Sequence, residues 1–511
     1  MKVNSDCSFN SPRCMGLFLA AVGLLYAAGL NPWVMPESTD DITYFELAKS
    51  YAAGNGHEFQ GEVIGDWPPI FPLYLSVPMR LGMESLLTAK ITVVLSMLAA
   101  LFLASRLIVR ENREAPWTTL ILTAVIPTAY ASGVRSSSDW FFAAITFGFF
   151  LWLHRMNRRE TPSLRDGIVL GVLLGIAALT RQVGVLLGAA IVVQILSRWW
   201  RSDSRWQIGS VLRQNWPEIL AAFIGATLWL AWGAYLAKIQ SVDVLAKGNY
   251  DQLGTEMWMN FEPVRLLSHL AEAWFQFSNL TEIAGFDGGP VETALLILFG
   301  IVLAIGLVQT IRQGRFLPSD GYGVATILLL LPYLFKTPRF WIVLTPFLLS
   351  WFFRGLAVFW KPVAGRLPVR AATWIPRAAG GFWIAFSVAV CGILITRGNA
   401  HHAALSPLIT KSEDEFYRGY YADLREAGIR AAAIEPKPDK VGIYGWYSNS
   451  FYTWSGGLNS YNWQFWPEEI DWFVTSPDEP DLPTELQDTG EFRKILTEGS
   501  VSVFERTGAD R

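Results

Sequence analysis

The sequence predicts a mainly α-helical protein, a polytopic transmembrane bundle of about eleven spans followed by a small C-terminal α/β domain outside the membrane. Three observations predict it. Of 511 residues, 52% are hydrophobic, only 17% are charged and 23 are Trp, whereas a soluble chain of this length carries more charge. The apolar residues gather in blocks instead of alternating with polar ones. Arg-rich short loops recur at every second gap between those blocks. With a net charge of −3, nothing in the sequence suggests nucleic acid.

The first apolar block runs from Met15 to Leu30, behind Lys2 and Arg13. Ala27-Ala28-Gly29 mimics a signal-peptide cleavage site, but the block is long for that role and many spans follow, so it reads as an uncleaved first helix. Further blocks are Leu86–Val109, Trp117–Gly133, Trp140–Leu153, Gly167–Thr180, Gly184–Leu196, Pro217–Ala237, Val291–Ile311, Tyr322–Leu334, Phe340–Phe353 and Gly380–Ile395. Each is helical because lipid offers backbone groups no other partner. Several fall short of the roughly 20 residues of a full crossing, as expected where a water-filled cavity enters the bilayer.

One set of short loops holds Arg106, Arg110 and Arg113, then Arg155, Arg158, Arg159 and Arg165, then Arg198, Arg201, Arg205 and Arg213. Arg312 and Arg315 continue it, and Lys361, Arg366, Arg370 and Arg377 end it. The positive-inside rule makes these loops and the N-terminus cytoplasmic, and an odd number of spans puts the tail outside. Outside segments are then 31–85, 238–290 and 397–511. The second carries an amphipathic stretch, Phe261–Phe277, suited to lying in the interface plane. The third has a soluble composition, with a helix-like piece at Glu413–Ala427 and strand-like runs at Val441–Tyr444, Asp471–Thr475 and Val501–Glu505. The chain therefore divides into a membrane domain, 1–396, and a soluble domain, 397–511, of about 110 residues, an ordinary domain size. Cys7 and Cys14 precede the first span and Cys391 lies in the last, so no exported Cys pair exists and no structural disulfide is expected. His401 and His402 read as a solvated pair near a membrane exit.

The most informative stretch is the first outside segment. It holds Ser38-Thr39-Asp40-Asp41-Ile42-Thr43-Tyr44, then Ala48, then Gly54-Asn55-Gly56, then Asp66-Trp67-Pro68-Pro69-Ile70-Phe71-Pro72. An Asp pair beside a membrane span is costly unless water, cations or substrate meet it, and a carboxylate there can serve as general base. The plainer reading is a helix N-cap ahead of a segment with Glu46 in its first turns. The prolines read as an extended strap before the next helix.

The order Asp-Asp-x-x-Tyr, Ala, Gly-x-Gly, Trp-Pro-Pro-x-x-Pro-Leu, Leu-Gly resembles the first loop of the C-type (GT-C) integral-membrane glycosyltransferases. The nearest branch is that of protein O-mannosyltransferases, the lipid A aminoarabinose transferase and rhizobial lipopolysaccharide core transferases. Arg135-Ser136-Ser137-Ser138-Asp139 resembles that family's second outside acidic site. Leu179-Thr180-Arg181-Gln182-Val183-Gly184 resembles its Thr-Arg-x-x-Gly turn, and Pro338-Arg339-Phe340 with Pro346 its Arg-Tyr entry to a late span. The likeness covers most of the chain in order and spacing. One departure stands out: where the aminoarabinose branch has Glu-Lys before the double proline, this chain has Asp66-Trp67.

The resemblance implies an inverting transfer of a sugar from a polyprenyl-phosphate donor to an envelope acceptor hydroxyl, on a lipid, glycan or protein, at the outer face of a cell inner membrane. It implies Asp40 as the base with Asp41 beside it. Tyr44, Asp66, Trp67 and Asp139 position substrate or loop. The leaving phosphate falls to outside cations, Arg339, Arg181, Arg135 and Lys336, whose plainer role is to anchor helix ends at the lipid headgroups. No spacing demands a cofactor; a divalent cation, Mg²⁺ or Mn²⁺, on Asp40, Asp139 or Asp66 with His57 is a candidate. The rival readings are a transporter or lipid-linked glycan flippase, an outer-face polymerase or ligase of lipid-linked glycans, and a scaffold. The first would not need an acidic first loop, and no inverted repeat of broken helices is visible.

Overall fold

The computed structural model describes residues 11–30, 39–59, 62–65, 67–159, 163–201, 209, 213–239, 290–330, 338–402, 423–424, 426–443, 455, 458, 460–462, 470–476, 480–489 and 491–507. The amphipathic stretch Phe261–Phe277, Asp66, Lys336, most of Glu413–Ala427, and the His401 and His402 side chains lie outside them. The helices are α1 (Pro12–Ala27), α2 (Thr39–Ala53), α3 (Ile70–Arg80), α4 (Leu86–Arg110), α5 (Pro116–Val125), α6 (Pro127–Gly133), α7 (Asp139–Asn157) and α8 (Leu164–Ala178). They continue with α9 (Leu187–Arg201), α10 (Trp216–Ile239), α11 (Pro290–Arg312), α12 (Pro318–Leu330), α13 (Thr345–Ala364) and α14 (Val369–His402). Short 3₁₀ segments at Gln182–Leu186 and Pro338–Leu344 lead into α9 and α13.

Over their described residues, all eleven apolar blocks fall mainly on helix. Five described stretches are long and apolar enough to cross a membrane: Leu86–Arg110, Gln182–Trp200, Trp216–Lys238, Arg339–Ala364 and Val369–Thr396. Pro12–Ala27, Pro116–Val125 and Ile297–Arg312 are shorter apolar helices. The block at Trp117–Gly133 is broken into α5 and α6 at Pro127, which lacks the N–H a continuous helix would use.

The chain forms two compact units. The first comprises Met1–Leu30, Ile64–Phe71 and Lys90–Thr396. One tightly packed helix pair in it is α8 on α10. Gly167, Gly171 and Gly175 recur every fourth residue, so they line one face of α8. A Cβ on Gly171 would lie 2.9 Å from the Ala221 carbonyl oxygen, and one on Gly167 2.9 Å from that of Pro217. Small residues at this spacing let two backbones approach where lipid provides no hydrophobic drive. Aromatic packing joins α7 to α12 and α13: Phe150 lies 5.6 Å from Tyr322 and 5.9 Å from Phe347, centroid to centroid.

The loop 111–115 is tied down by buried polar groups. Glu111 accepts hydrogen bonds from Arg113 Nε at 2.7 Å and from Ser319 Oγ at 2.6 Å, and lies 3.1 Å from His154 Nε2. Arg113 Nη1 donates to Asp320 Oδ1 at 2.5 Å, which also accepts from Trp351 Nε1 at 2.8 Å. Arg354 donates to Thr310 at 2.7 Å and lies 3.3 Å from Glu114. So Arg113 is more than a loop cation: it and Arg354 of α13 are buried and bind helices together.

The second unit comprises Asn31–Val63, Pro72–Ala89 and Arg397–Arg511, its first two strands being β1 (Glu58–Phe59) and β2 (Glu62–Val63). Its tail holds a five-stranded sheet of β3 (Val441–Ile443), β4 (Ser460–Asn462), β5 (Trp472–Val474), β6 (Glu491–Glu498) and β7 (Val501–Thr507), in the order β4-β3-β5-β7-β6. β3 pairs in parallel with β4 and β5; β5–β7 and β7–β6 are antiparallel. Both faces are covered. Trp472 and Val474 pack with Leu424 and Ala427 on one side, and Phe473 packs with Leu486 on the other, as strand alternation requires. β3, β5 and β7 match the three expected runs; β4 and β6 were not foreseen.

Two expectations are corrected. Cys14 is disulfide-bonded, whereas no structural disulfide was expected. The proline strap is shorter than read: α3 already begins at Ile70, with Pro72 in its first turn. A first-turn N–H has no intrahelical partner to lose, so proline is tolerated there.

Candidate active site

The motifs of the first segment fall on both units. In the second unit, Asp40 and Asp41 lie inside the first turn of α2, not ahead of it, where the helix dipole favours negative charge. Asp40 is partly exposed. Asp41, Thr43, Tyr44 and Glu46 are buried, and Lys49 reaches Glu46 at 3.0 Å. The Gly-x-Gly element closes the helix. Gly54 and Gly56 take φ of 89° and 94°, a region L side chains avoid. That turn lets Ser50 Oγ donate to the Gly56 carbonyl at 3.0 Å and sets Tyr51 Oη 3.0 Å from His57 Nδ1. A two-stranded hairpin follows, Glu58–Phe59 with Glu62–Val63. Arg80 of α3 returns to donate to the Tyr51 carbonyl at 2.9 Å.

In the first unit three motifs converge. The strap carries partly exposed Trp67 and buried Pro68 and Pro69, and Ile70 N donates to the Leu179 carbonyl at 3.0 Å. Phe71 is fully buried, 5.9 Å from the Phe141 ring of α7. The strap is thus pinned to the turn that carries Thr180 and Arg181. That turn is made by Gly184. Its N–H donates to the Arg181 carbonyl at 2.8 Å, and a Cβ there would run into the Ala177 carbonyl. Gly184 therefore lets the 3₁₀ segment fold back against the end of α8.

Arg181, extended at φ −148°, sends Nη1 to Asp139 Oδ1 in the first turn of α7 and to Ser138 Oγ at 3.4 Å. Its guanidinium lies 4.6 Å from the Phe340 ring, and Arg339 lies 5.8 Å from the same ring. Two cations therefore lie against one aromatic ring. Among the described residues the hydrogen bonds of Arg181 are made by Nη1, and Asp139 Oδ2 is buried without a hydrogen-bond donor. Arg135 lies one turn before Asp139, partly buried, with Ser136, Ser137 and Ser138 buried behind it.

Asp139, Arg181, Arg339 and the strap are thus brought together. Asp66 and Lys336 lie outside the described residues. Among the described residues no three His, Cys, Asp or Glu side chains gather as a metal site. Asp471, at the start of an expected strand-like run, accepts the backbone N–H of Asp439 at 2.7 Å and of Lys440 at 3.1 Å, so it closes a loop of the tail sheet. One residue was missed: Lys90, on α4, is 1% exposed. A single lysine in an apolar block was the available signal, since a charge there needs a polar partner.

The bundle with its broken, Arg-bearing turns has the GT-C-like fold of the C-type membrane glycosyltransferases. Two solved structures match it along its whole length. ArnT from Cupriavidus metallidurans bound to undecaprenyl phosphate has a TM-score of 0.57 at 14% identity, covering 98% of this chain and 99% of that one. The same enzyme in the apo state has a TM-score of 0.56 at 14% identity, covering 96% and 97%. No protein-family model matches, and no protein of curated function does.

Proposed function

We propose that this protein is an inverting glycosyltransferase that moves a sugar from a polyprenyl-phosphate carrier to an envelope acceptor hydroxyl at the outer face of the inner membrane. The observation that carries the reading is Arg181. It is fixed at one nitrogen by Asp139 and stacked on Phe340 beside Arg339, with donors left for an anion. A guanidinium fork suits a phosphate's oxygens. The fold it shares with an ArnT crystallised with undecaprenyl phosphate supports the same donor class.

In the proposed reaction the acceptor oxygen attacks the anomeric carbon opposite the phosphate, and configuration inverts. The carbon–oxygen bond to phosphate breaks, its electron pair leaving with the polyprenyl phosphate. Asp40 takes the hydroxyl proton. Arg181 and Arg339, with Arg135 and Lys336 as further cations, stabilise charge growing on the leaving phosphate. Asp41, Tyr44, Asp66, Trp67 and Asp139 hold the loops and the substrate. The Arg-rich loops and the N-terminus are cytoplasmic, and the tail, 397–511, is outside.

The test is mass spectrometry of envelope glycans and lipids from cells with and without the protein, complemented by wild type or Asp40→Asn. A sugar substituent lost with the gene, restored by wild type and not by the variant at equal protein level, is expected. Restoration by Asp40→Asn would remove the assignment.

A further inference from the structure

We infer that a groove between α1 and α4 holds one acyl chain of an anionic glycerophospholipid, in the leaflet on the side of the Arg-rich loops. The groove, about 180 Å³, is formed by two stripes at matching helical spacing: Met15, Gly16 and Leu19 on α1, and Phe102, Arg106 and Val109 on α4. The helices meet at one end, where a Cβ on Gly23 would lie 3.6 Å from Leu98. They part at the other, where a Cβ on Gly16 would find nothing within 4 Å. The space is therefore a wedge, closed toward the middle of the bundle and open toward the helix ends. Glycine at position 16 leaves it unfilled.

The walls are apolar and the mouth is basic. Arg106 lines the groove, its guanidinium 5.2 Å from the Phe102 ring. Arg13 and Arg110 are exposed on the same helix ends. Arg110 spends one nitrogen on the Leu151 carbonyl at 3.3 Å. Among the described residues no acidic side chain lines the groove, and Glu111, two residues beyond Val109, is buried and held by Arg113, Ser319 and His154. An apolar wedge that widens toward exposed surface cations complements a fatty chain ending in a phosphodiester. This site is separate from the residues of the proposed transferase reaction.

The experiment is native mass spectrometry of the full chain, delipidated in detergent and titrated with phosphatidylglycerol or phosphatidylcholine of identical acyl chains. Wild type should retain one phosphatidylglycerol about fivefold better than phosphatidylcholine, the worth of one interfacial cation. Arg106→Gln, a change at an exposed side chain, should equalise the two lipids. Gly16→Leu, which fills the wedge, should lose the retained lipid of either kind. Equal retention of both lipids by wild type would overturn the inference, as would an unchanged preference in Arg106→Gln. A lipid-free wild-type dimer that becomes monomeric in Gly16→Leu would assign the groove to a second copy of this chain and overturn it equally.

Discussion

Arg181 and Asp139 are 42 residues apart in sequence and joined directly in space. The pair links the turn between α8 and α9 to the start of α7. It holds a guanidinium 4.6 Å from Phe340 instead of letting it wander on a flexible stem.

The pair yields the first prediction. If Arg181 receives the donor phosphate, Arg181→Ala should weaken donor binding roughly 10–100-fold, the worth of hydrogen bonds to a charged group. Arg181→Lys should recover part of the loss, because a point charge replaces a fork. Asp139→Asn keeps the guanidinium but loosens its seat, so the same loss should appear in smaller measure. Titration of polyprenyl phosphate into each variant in nanodiscs measures it. Unchanged affinity in Arg181→Ala would leave the residue as a helix-end anchor.

Asp40 is tested through rate. Asp40→Asn should lower turnover by about 10²–10⁴, the range of general-base catalysis, with donor affinity kept. Asp41 is buried where Asp40 is partly exposed. Asp41→Asn should therefore lower melting temperature as well as rate, since it disturbs the packing of α2. Initial rates and thermal melts on the same preparations separate the two. A near-normal rate in Asp40→Asn would end its assignment as base.

Sidedness follows from the distribution of Arg. A reporter fused at Arg158, after α7, should report the cytoplasm. One fused at Asp439, ahead of β3, should report the opposite side. Two fusions reporting one side would contradict the proposed topology.

Much of this was legible in the sequence, for a physical reason. A membrane helix must be apolar along most of its length, so blocks such as Leu86–Val109 identify themselves, with Arg-rich loops at every second gap between them. Short motifs were legible where backbone geometry constrains residue type: Gly54 and Gly56 at positive φ, and Gly184 against the Ala177 carbonyl. What stayed hidden depends on partners distant in sequence. Nothing local says that Phe340 carries both Arg181 and Arg339. Nor does the spacing of Gly167, Gly171 and Gly175 name α10 as the neighbour. β4 and β6 were missed because three-residue Ser460–Asn462 and the largely polar Glu491–Glu498 gain their strand state from pairing with β3 and β7, not from their own alternation. Arg113 shows the opposite limit. Its loop was read as a sidedness marker, and its burial against Asp320 shows that it is also a clamp.

The clamp gives the last prediction, on stability. Burial alone would raise the Glu111 carboxyl, but Arg113 and the hydrogen bonds of His154 and Ser319 outweigh it, and the group sits below its ordinary value of 4.5. A carboxyl held lower in the folded chain than in the unfolded one stabilises the fold above the unfolded value, and that contribution is lost as pH falls through the folded one. Melting temperature in detergent should therefore hold near neutrality and fall on acidification below about 4.5. Glu111→Gln should melt lower at neutral pH and lose less on acidification. Arg113→Met leaves Asp320 and Glu111 buried without their cation, a change costing about 3–5 kcal/mol in comparable buried pairs. Combining Arg113→Met with Asp320→Asn should restore part of that loss, because one stranded charge is gone. Melts of the two single variants and the double variant complete the cycle. Additive losses would mean that Arg113 and Asp320 act independently and that the clamp is not a unit.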